Sequence, residues 1–305
     1  MSKYFIRRIF SAFITLFFIM TITFFMMKSI PGGPFSTNDK LSEEVRKALE
    51  AKYHLDDPLM KQYFDYVKGV VRFDLGPSFQ RAGYTVNQLI AEGFPISAKI
   101  GGVSVIFVLI LGIPFGIISA LKQNKLPDKI IGFLSTLGVC IPAFVIGTLF
   151  IYVFCFKFNM LPSHGLESWK SYIGPVIALS GFSLATIVRL TKSSMLEVIQ
   201  QDYIRTARAK GLSKTKVIYK HALKNSLIPV VTYVGPMIAS ILTGSFVVEK
   251  IFAIPGMGKH FTESVNNRDY TVLMGCTIFY ALIYVVMVLI VDIIYVFIDP
   301  RIKYD

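Results

Sequence analysis

Six stretches of this chain, 9–30, 100–121, 130–156, 172–190, 227–248 and 271–298, are apolar almost without interruption. At about 1.5 Å per residue, each reaches across the roughly 30 Å of hydrocarbon in a bilayer. Inside that solvent every backbone N–H and C=O has to find its partner within the segment. Continuous runs therefore predict helices, whereas a barrel would need short alternating segments. The chain reads as an all-α, polytopic integral membrane protein with six transmembrane helices. Pro114, Pro142, Pro175 and Pro236 lie inside or near the starts of these runs and predict kinks, or gaps that neighbouring helices fill.

Composition agrees: 53% of residues are hydrophobic, 17% are charged and the mean hydropathy is +0.58. The net charge of +13 raises nucleic acid as a partner. The basic residues fall between the apolar runs, however, where membrane topology places them, and no nucleic-acid binding is expected. Cys140, Cys155 and Cys276 sit within apolar runs and are odd in number, which argues for buried thiols rather than a disulfide framework. The first run follows Lys3, Arg7 and Arg8 like a signal peptide. It is too long for one and no Ala-x-Ala site follows, so a retained anchor is expected.

Orientation follows from the short connections. With the N-terminus inside, the second and fourth connections hold twelve Lys and Arg residues, and the third and fifth hold five. The positive-inside rule then places both termini in the cytoplasm. The connection 31–95 becomes a structured extracytoplasmic insertion, with one helix capped by Ser42 and a second following Pro58. The expected division is 1–93 (first helix and insertion), 94–299 (a five-helix core) and 300–305 (a cytoplasmic tail).

The fourth connection is the most informative. Asp202 is placed to cap a helix continuing through Arg205, Thr206, Ala207 and Arg208; Gly211 can end it in a left-handed conformation, and Ser213 can cap the next. The result is a basic helical hairpin over 202–224, with Ile204, Ala207, Leu212, Val217 and Ile218 available for an apolar contact. Docking onto a soluble partner is one reading. A solvated charge run that only sets topology is the other, and the physics alone does not separate them.

Arg205-Thr206-Ala207-x-x-x-Gly211 resembles the Glu-Ala-Ala-x-x-x-Gly loop of ABC importer permeases, in the form used by the peptide permease family. His221-Ala222-Leu223-Lys224-Asn225 and Ile228-Pro229 extend the likeness. Arg205 stands where the general loop has Glu, Thr206 where it has Ala, and Lys224 where Pro is usual. Pro31-Gly32-Gly33-Pro34, Asp57-Pro58, Phe73-Asp74-Leu75-Gly76-Pro77-Ser78, Ile254-Pro255-Gly256-Met257-Gly258, Arg268-Asp269-Tyr270 and Asp299-Pro300-Arg301 carry the resemblance along nearly the whole chain. Their order is similar to that of the B-type subunit of oligopeptide permeases.

The resemblance implies a type I ABC importer permease fold of the MetI-like kind, in a bacterial plasma membrane, forming half of an oligopeptide pathway. It implies a paralogous second permease subunit, two ABC ATPase subunits that bind ATP and magnesium, and an extracytoplasmic peptide-binding protein. Asp202, Arg205, Thr206, Ala207, Arg208, Gly211 and Leu212 would couple the permease to the ATPases. No catalytic residue and no bound cofactor are expected in this chain: Gly256-Met257-Gly258-Lys259 lacks the first Gly and the Ser or Thr of a phosphate loop. No metal is expected either, because His54, His164, His221 and His260 lack ligand spacing.

Gly235, Ala239, Ser240, Gly244 and Ser245 give the fifth span a small-residue face, expected at the pore or subunit interface, and Asp292 is a candidate for the same interface. Lys28, Lys99, Arg189 and Glu249 near span ends are expected to snorkel. A proton-coupled secondary transporter and a non-transporting scaffold are the alternatives. A lone Asp292 without an inverted repeat argues against the first.

Overall fold

A computed structural model describes residues 2–35, 42–242 and 246–298. Among them the secondary structure is helical, apart from one isolated bridge between Pro77 and Thr85. In chain order come α1 (Ser2–Lys28), α2 (Glu43–Lys52), α3 (Leu59–Val71), α4 (Val86–Leu121), α5 (Leu126–Cys140) and α6 (Ala143–Phe150), which continues as a π-helix over Ile151–Lys157. A 3₁₀ turn then leads into α7 (Ile173–Ile199). The hairpin comprises α8 (Asp202–Ala209), α9 (Lys214–Lys216), a π-helical stretch (Val217–Ala222) and α10 (Leu223–Ser226). There follow α11 (Ile228–Leu242), α12 (Phe246–Ile251), α13 (Met257–Asn266) and α14 (Tyr270–Ile298).

Among the described residues, five helical stretches are long and apolar enough to cross a bilayer, and the pair α5 and α6 makes a sixth if it counts as one span. The kink expected at Pro142 within 130–156 is a sharp one: the two arms meet at 105° around Ile141 and Pro142. Pro142 has no N–H to continue the ladder and restricts Ile141 to the extended backbone it adopts (φ −91°, ψ 120°). Two other helices outrun their apolar runs. α4 begins at Val86 rather than near Ile100, and α7 continues to Ile199 rather than stopping at Leu190.

The chain divides into two compact units, one formed by residues 1–96 and 255–285 and the other by 97–254 and 286–305. In the first, Ser42 caps α2 by accepting from the Val45 N–H, and Pro58 precedes α3, both as the sequence predicts. Phe24 of α1, Tyr63 of α3 and Tyr270 and Met274 of α14 form one buried cluster. Val86, Leu89 and Ile90 of α4 form another with Met257, Val272 and Cys276.

Asp269 holds the irregular segment 72–85 in place. Its buried carboxylate accepts from Ser78 Oγ (2.5 Å), the N–H groups of Phe79 and Gln80 (both 3.2 Å) and Thr271 Oγ1 (3.0 Å). Arg268 donates to the Pro31 carbonyl at 2.9 Å. Two of the short signatures thus meet at Asp269 and a third is tied to its neighbour Arg268, an architectural arrangement. The Gly256-Met257-Gly258 turn opens α13 without an open phosphate cradle, because the Met257 N lies 3.1 Å from where a Cβ on Gly93 would stand. His260, on the next turn, is buried. That burial first, and the nearby Arg81 guanidinium second, hold its imidazole below the usual pKa.

In the second unit α7 is the central packing element, lying against α5, α6 and α11. Gly112 and Gly116, one turn apart on α4, let it approach α7 closely: a Cβ on Gly116 would stand 2.4 Å from Thr191 Cβ, and one on Gly112 2.7 Å from Ile187 Cγ2. Above this crossing, Val105, Val108, Ile187, Val230, Met237 and Ile241 bury one apolar cluster.

Candidate functional site

The hairpin that follows α7 forms for local reasons. Gln201, in extended backbone, is the N-cap residue, and Asp202 takes the first helical position instead of the cap expected for it. An acidic residue in the first turn still complements the helix dipole. Thr206 Oγ1 donates to the Asp202 carbonyl at 3.0 Å. Gly211 has φ +73° with no atom within 4 Å of a would-be Cβ, so backbone conformation rather than space demands glycine there. Ser213 caps the return helix by accepting from the Lys216 N–H. Asn225 Nδ2 donates to Tyr203 Oη at 2.8 Å and fastens the return helix to α8.

One face of this hairpin is a core face. Ile204, Ala207, Val217, Ile218 and Ala222 are buried in a single cluster with Ile117 and Ala120 from the end of α4 and Met195 and Val198 from the end of α7. This corrects the expectation that Ile204, Ala207, Val217 and Ile218 lie free to meet a partner: they are the hairpin's attachment to its own spans. Leu212 is half-buried against the same cluster.

The outward face consists of Asp202, Tyr203, Arg205, Thr206, Arg208, Ala209 and Lys210, followed by exposed Gly211. Asp202 and Arg205 approach to 3.5 Å with side chains 96% and 74% exposed, a geometry worth little to stability. Beside this face, Arg208, Leu212 and Lys214 border a cleft of about 630 Å³ whose far wall is Leu196, Ile199 and Ala120.

The small-residue face of the fifth span is divided. Gly235 is packed against α14, where a Cβ would stand 2.5 Å from Val291 Cγ2, and Ala239 is buried as well. Close approach within the chain uses Gly235, and Ala239 is covered within the chain too. Ser240 is exposed, Asp292 is half-buried beside Val291, and Gly244 and Ser245 lie outside the described residues. Glu249 does not snorkel: it is buried and accepts from Ser97 Oγ at 2.7 Å.

Sequence reasoning missed Asp128. This carboxylate is buried in a connection otherwise marked by Lys122, Lys125 and Lys129, and it accepts from Lys192 Nζ at 2.5 Å, from the Asn124 N–H at 2.8 Å and from Ser119 Oγ. A lone acid among lysines was the available signal. Among the described residues, no group of three or more His, Cys, Asp or Glu is placed to hold a metal.

The sequence matches two family descriptions, "Binding-prot-dependent transport system membrane comp, N-term" over residues 1–101 and "Binding-protein-dependent transport system inner membrane component" over 112–304. The chain belongs to this family of inner-membrane transport components. It is 48% identical to the dipeptide transport system permease protein DppB of Bacillus subtilis, over 99% of this chain and 98% of that one. It is 45% and 44% identical to the oligopeptide transport system permease proteins OppB of Salmonella typhimurium and Escherichia coli K12, over the full length of each. Among solved structures, an inward-facing form of the MetNI methionine ABC transporter superposes with a TM-score of 0.59 at 16% identity, covering 70% of this chain and 97% of that one. That likeness establishes the fold as that of a type I importer permease. The resemblance carried by the hairpin and the other signatures therefore holds, and the chain is a multi-pass permease, a transport subunit.

Proposed function

We infer that the permease forms half of an ATP-driven pathway for oligopeptides, with both termini in the cytoplasm. The observation that carries this is the hairpin: a basic, exposed helical face fixed through a buried apolar cluster to the ends of α4 and α7. Such an element can receive movement from a soluble partner and pass it to two spans as a rigid body. The names of the relatives support peptides as cargo. In this reading a second, similar permease completes the pathway, two ATPase subunits bind ATP and magnesium and dock on Arg205, Thr206 and Arg208, and a peptide-binding protein delivers cargo from outside. Transport alternates between outward and inward access as the ATPases close and open.

The test is purification in mild detergent with mass spectrometry of the associated chains, followed by reconstitution. Co-purifying ATPase subunits and peptide uptake that requires ATP support the reading. Uptake driven by a proton gradient without ATP points to a secondary transporter instead, and absence of both refutes transport.

A further inference from the structure

Asp128 of α5 and Lys192 of α7 join two helices that pack along their length, at the end nearest the hairpin, where the apolar cluster has no residue of α5. The cluster joins the hairpin to α4 through Ile117 and Ala120 and to α7 through Met195 and Val198, but it contains no residue of α5. Asp128 lies in the first turn of α5, whose N-cap residue, Lys125, has no side-chain hydrogen bond to give. Its carboxylate reaches back to the N–H of Asn124, a turn residue at φ +62°, across to Ser119 of α4, the neighbour of Ala120, and over to Lys192, one turn before Met195 on α7. One carboxylate therefore fastens α4, the α4–α5 turn, α5 and α7 at the level where the hairpin is rooted.

The groups are not equal. Asp128 is 7% exposed at its side chain and Lys192 31%, so the ammonium reaches water more readily than the carboxylate. Ion pairs of this kind add little net stability over an apolar contact, but breaking one strands a buried charge. Chains of packed side chains and buried ion pairs are also what carry mechanical coupling through a protein.

We propose that Asp128 and Lys192 form the clasp that makes the first turn of α5 and the α4–α5 turn move with the hairpin, so that they act as positioning residues for the coupling of ATP hydrolysis to transport. This rests on the permease reading above. Without the clasp, hairpin motion still reaches α4 and α7 through the apolar cluster, and α5 follows where it packs on α7, but the first turn of α5 and the α4–α5 turn beside the hairpin can lag.

The measurement is peptide imported per ATP hydrolysed, in proteoliposomes holding the complete complex and normalised to assembled complex. Lys192→Gln, which leaves the buried carboxylate without its cation, should lower this ratio at least five-fold while ATP hydrolysis persists. Asp128→Asn should lower it less, because the freed Lys192 can turn to water. Ser119→Ala keeps the ion pair and folds most easily; it should lower the ratio about two-fold, and it decides the matter if the charged-pair variants do not assemble. A purely structural pair predicts less assembled complex with an unchanged ratio in every variant that assembles, and that result overturns the clasp. Failure of the permease reading is distinguishable, because the unmodified complex would then show no ATP-dependent peptide uptake at all.

Discussion

Ile204 and Arg205 are neighbours on one turn of α8, yet the structure gives them opposite tasks, and substituting each separates attachment from docking. Ile204 is fully buried among Ile117, Ala120, Met195 and Ala207. Truncation to Ala removes three carbons from a packed site, and such changes cost about 2–5 kcal/mol including the cavity they leave. At about 1.4 kcal/mol per factor of ten, the detached hairpin becomes roughly 30- to several thousand-fold more populated. Arg205→Glu changes an exposed residue that pairs only loosely with Asp202, so its effect on stability stays within about 0.5 kcal/mol. The assay is thermal unfolding in detergent and limited proteolysis within 202–224, alongside recovery of ATPase subunits on the purified permease. Ile204→Ala should unfold at lower temperature and be cut faster in the hairpin. Arg205→Glu should match the parent in both and lose ATPase subunits at least ten-fold. If Ile204→Ala were as stable and as protease-resistant as the parent, the buried face would not be the hairpin's root. If Arg205→Glu retained its ATPases, the exposed face would not be the docking face.

Other consequences are equally open to measurement. Gly211→Val places a β-branched residue at φ +73°, where even ordinary L-residues are disfavoured by about 1–2 kcal/mol; peptide uptake should collapse, with Gly211→Ala intermediate because no steric clash adds to the strain. Asp269→Ala orphans the donors of Ser78, Phe79 and Gln80, and segment 72–85 should become the first site of proteolysis in the purified protein. For His260, the folded state holds the imidazole pKa below the unfolded value of about 6.5. Its contribution to stability is therefore complete above that pH and is lost as pH falls toward the lowered folded value; His260→Gln should flatten this part of a stability-versus-pH profile measured by thermal unfolding. A single Cys at exposed Asp56 should react with an impermeant reagent in whole cells and one at exposed Lys214 should not, the reverse pattern inverting the proposed orientation.

Much of this fold is legible because the bilayer enforces it: an apolar run with no water to satisfy its backbone can be little else than a helix. The hairpin's punctuation is legible too, since Gly211 and Ser213 act through backbone geometry confined to a few residues. Which side of the hairpin is covered is not, because the covering residues, Ile117 from a distant segment and Met195 from the helix before, have no periodic relation to α8. Gly235 shows the same limit. A small residue marks a close approach but does not name the partner, and here the partner is Val291 of the same chain. Two carboxylates show a related limit. Glu249 sits near the end of a run, where snorkelling is usual, and only the position of Ser97 shows that it turns inward. Asp128 shows its role only when Lys192, 64 residues away, is brought against it.

The bend between α5 and α6 bears on how the protein is made. Each arm contains 15 residues, about 22 Å of helix, and neither alone is long enough to halt in a bilayer as a completed crossing. The insertion machinery has to take the two arms as one passage if the proposed topology is to be reached. Every later segment inherits its side from that event: a pair that entered and returned would deliver the hairpin, with Arg205, Arg208, Lys210, Lys214, Lys216, Lys220 and Lys224, to the outer face, against the charge bias that retains basic connections in the cytoplasm. In the proposed orientation, the basic hairpin downstream therefore sets the parity of a crossing that the bent arms leave ambiguous, and a coupling element acts during synthesis as a topological anchor before it has any partner to dock.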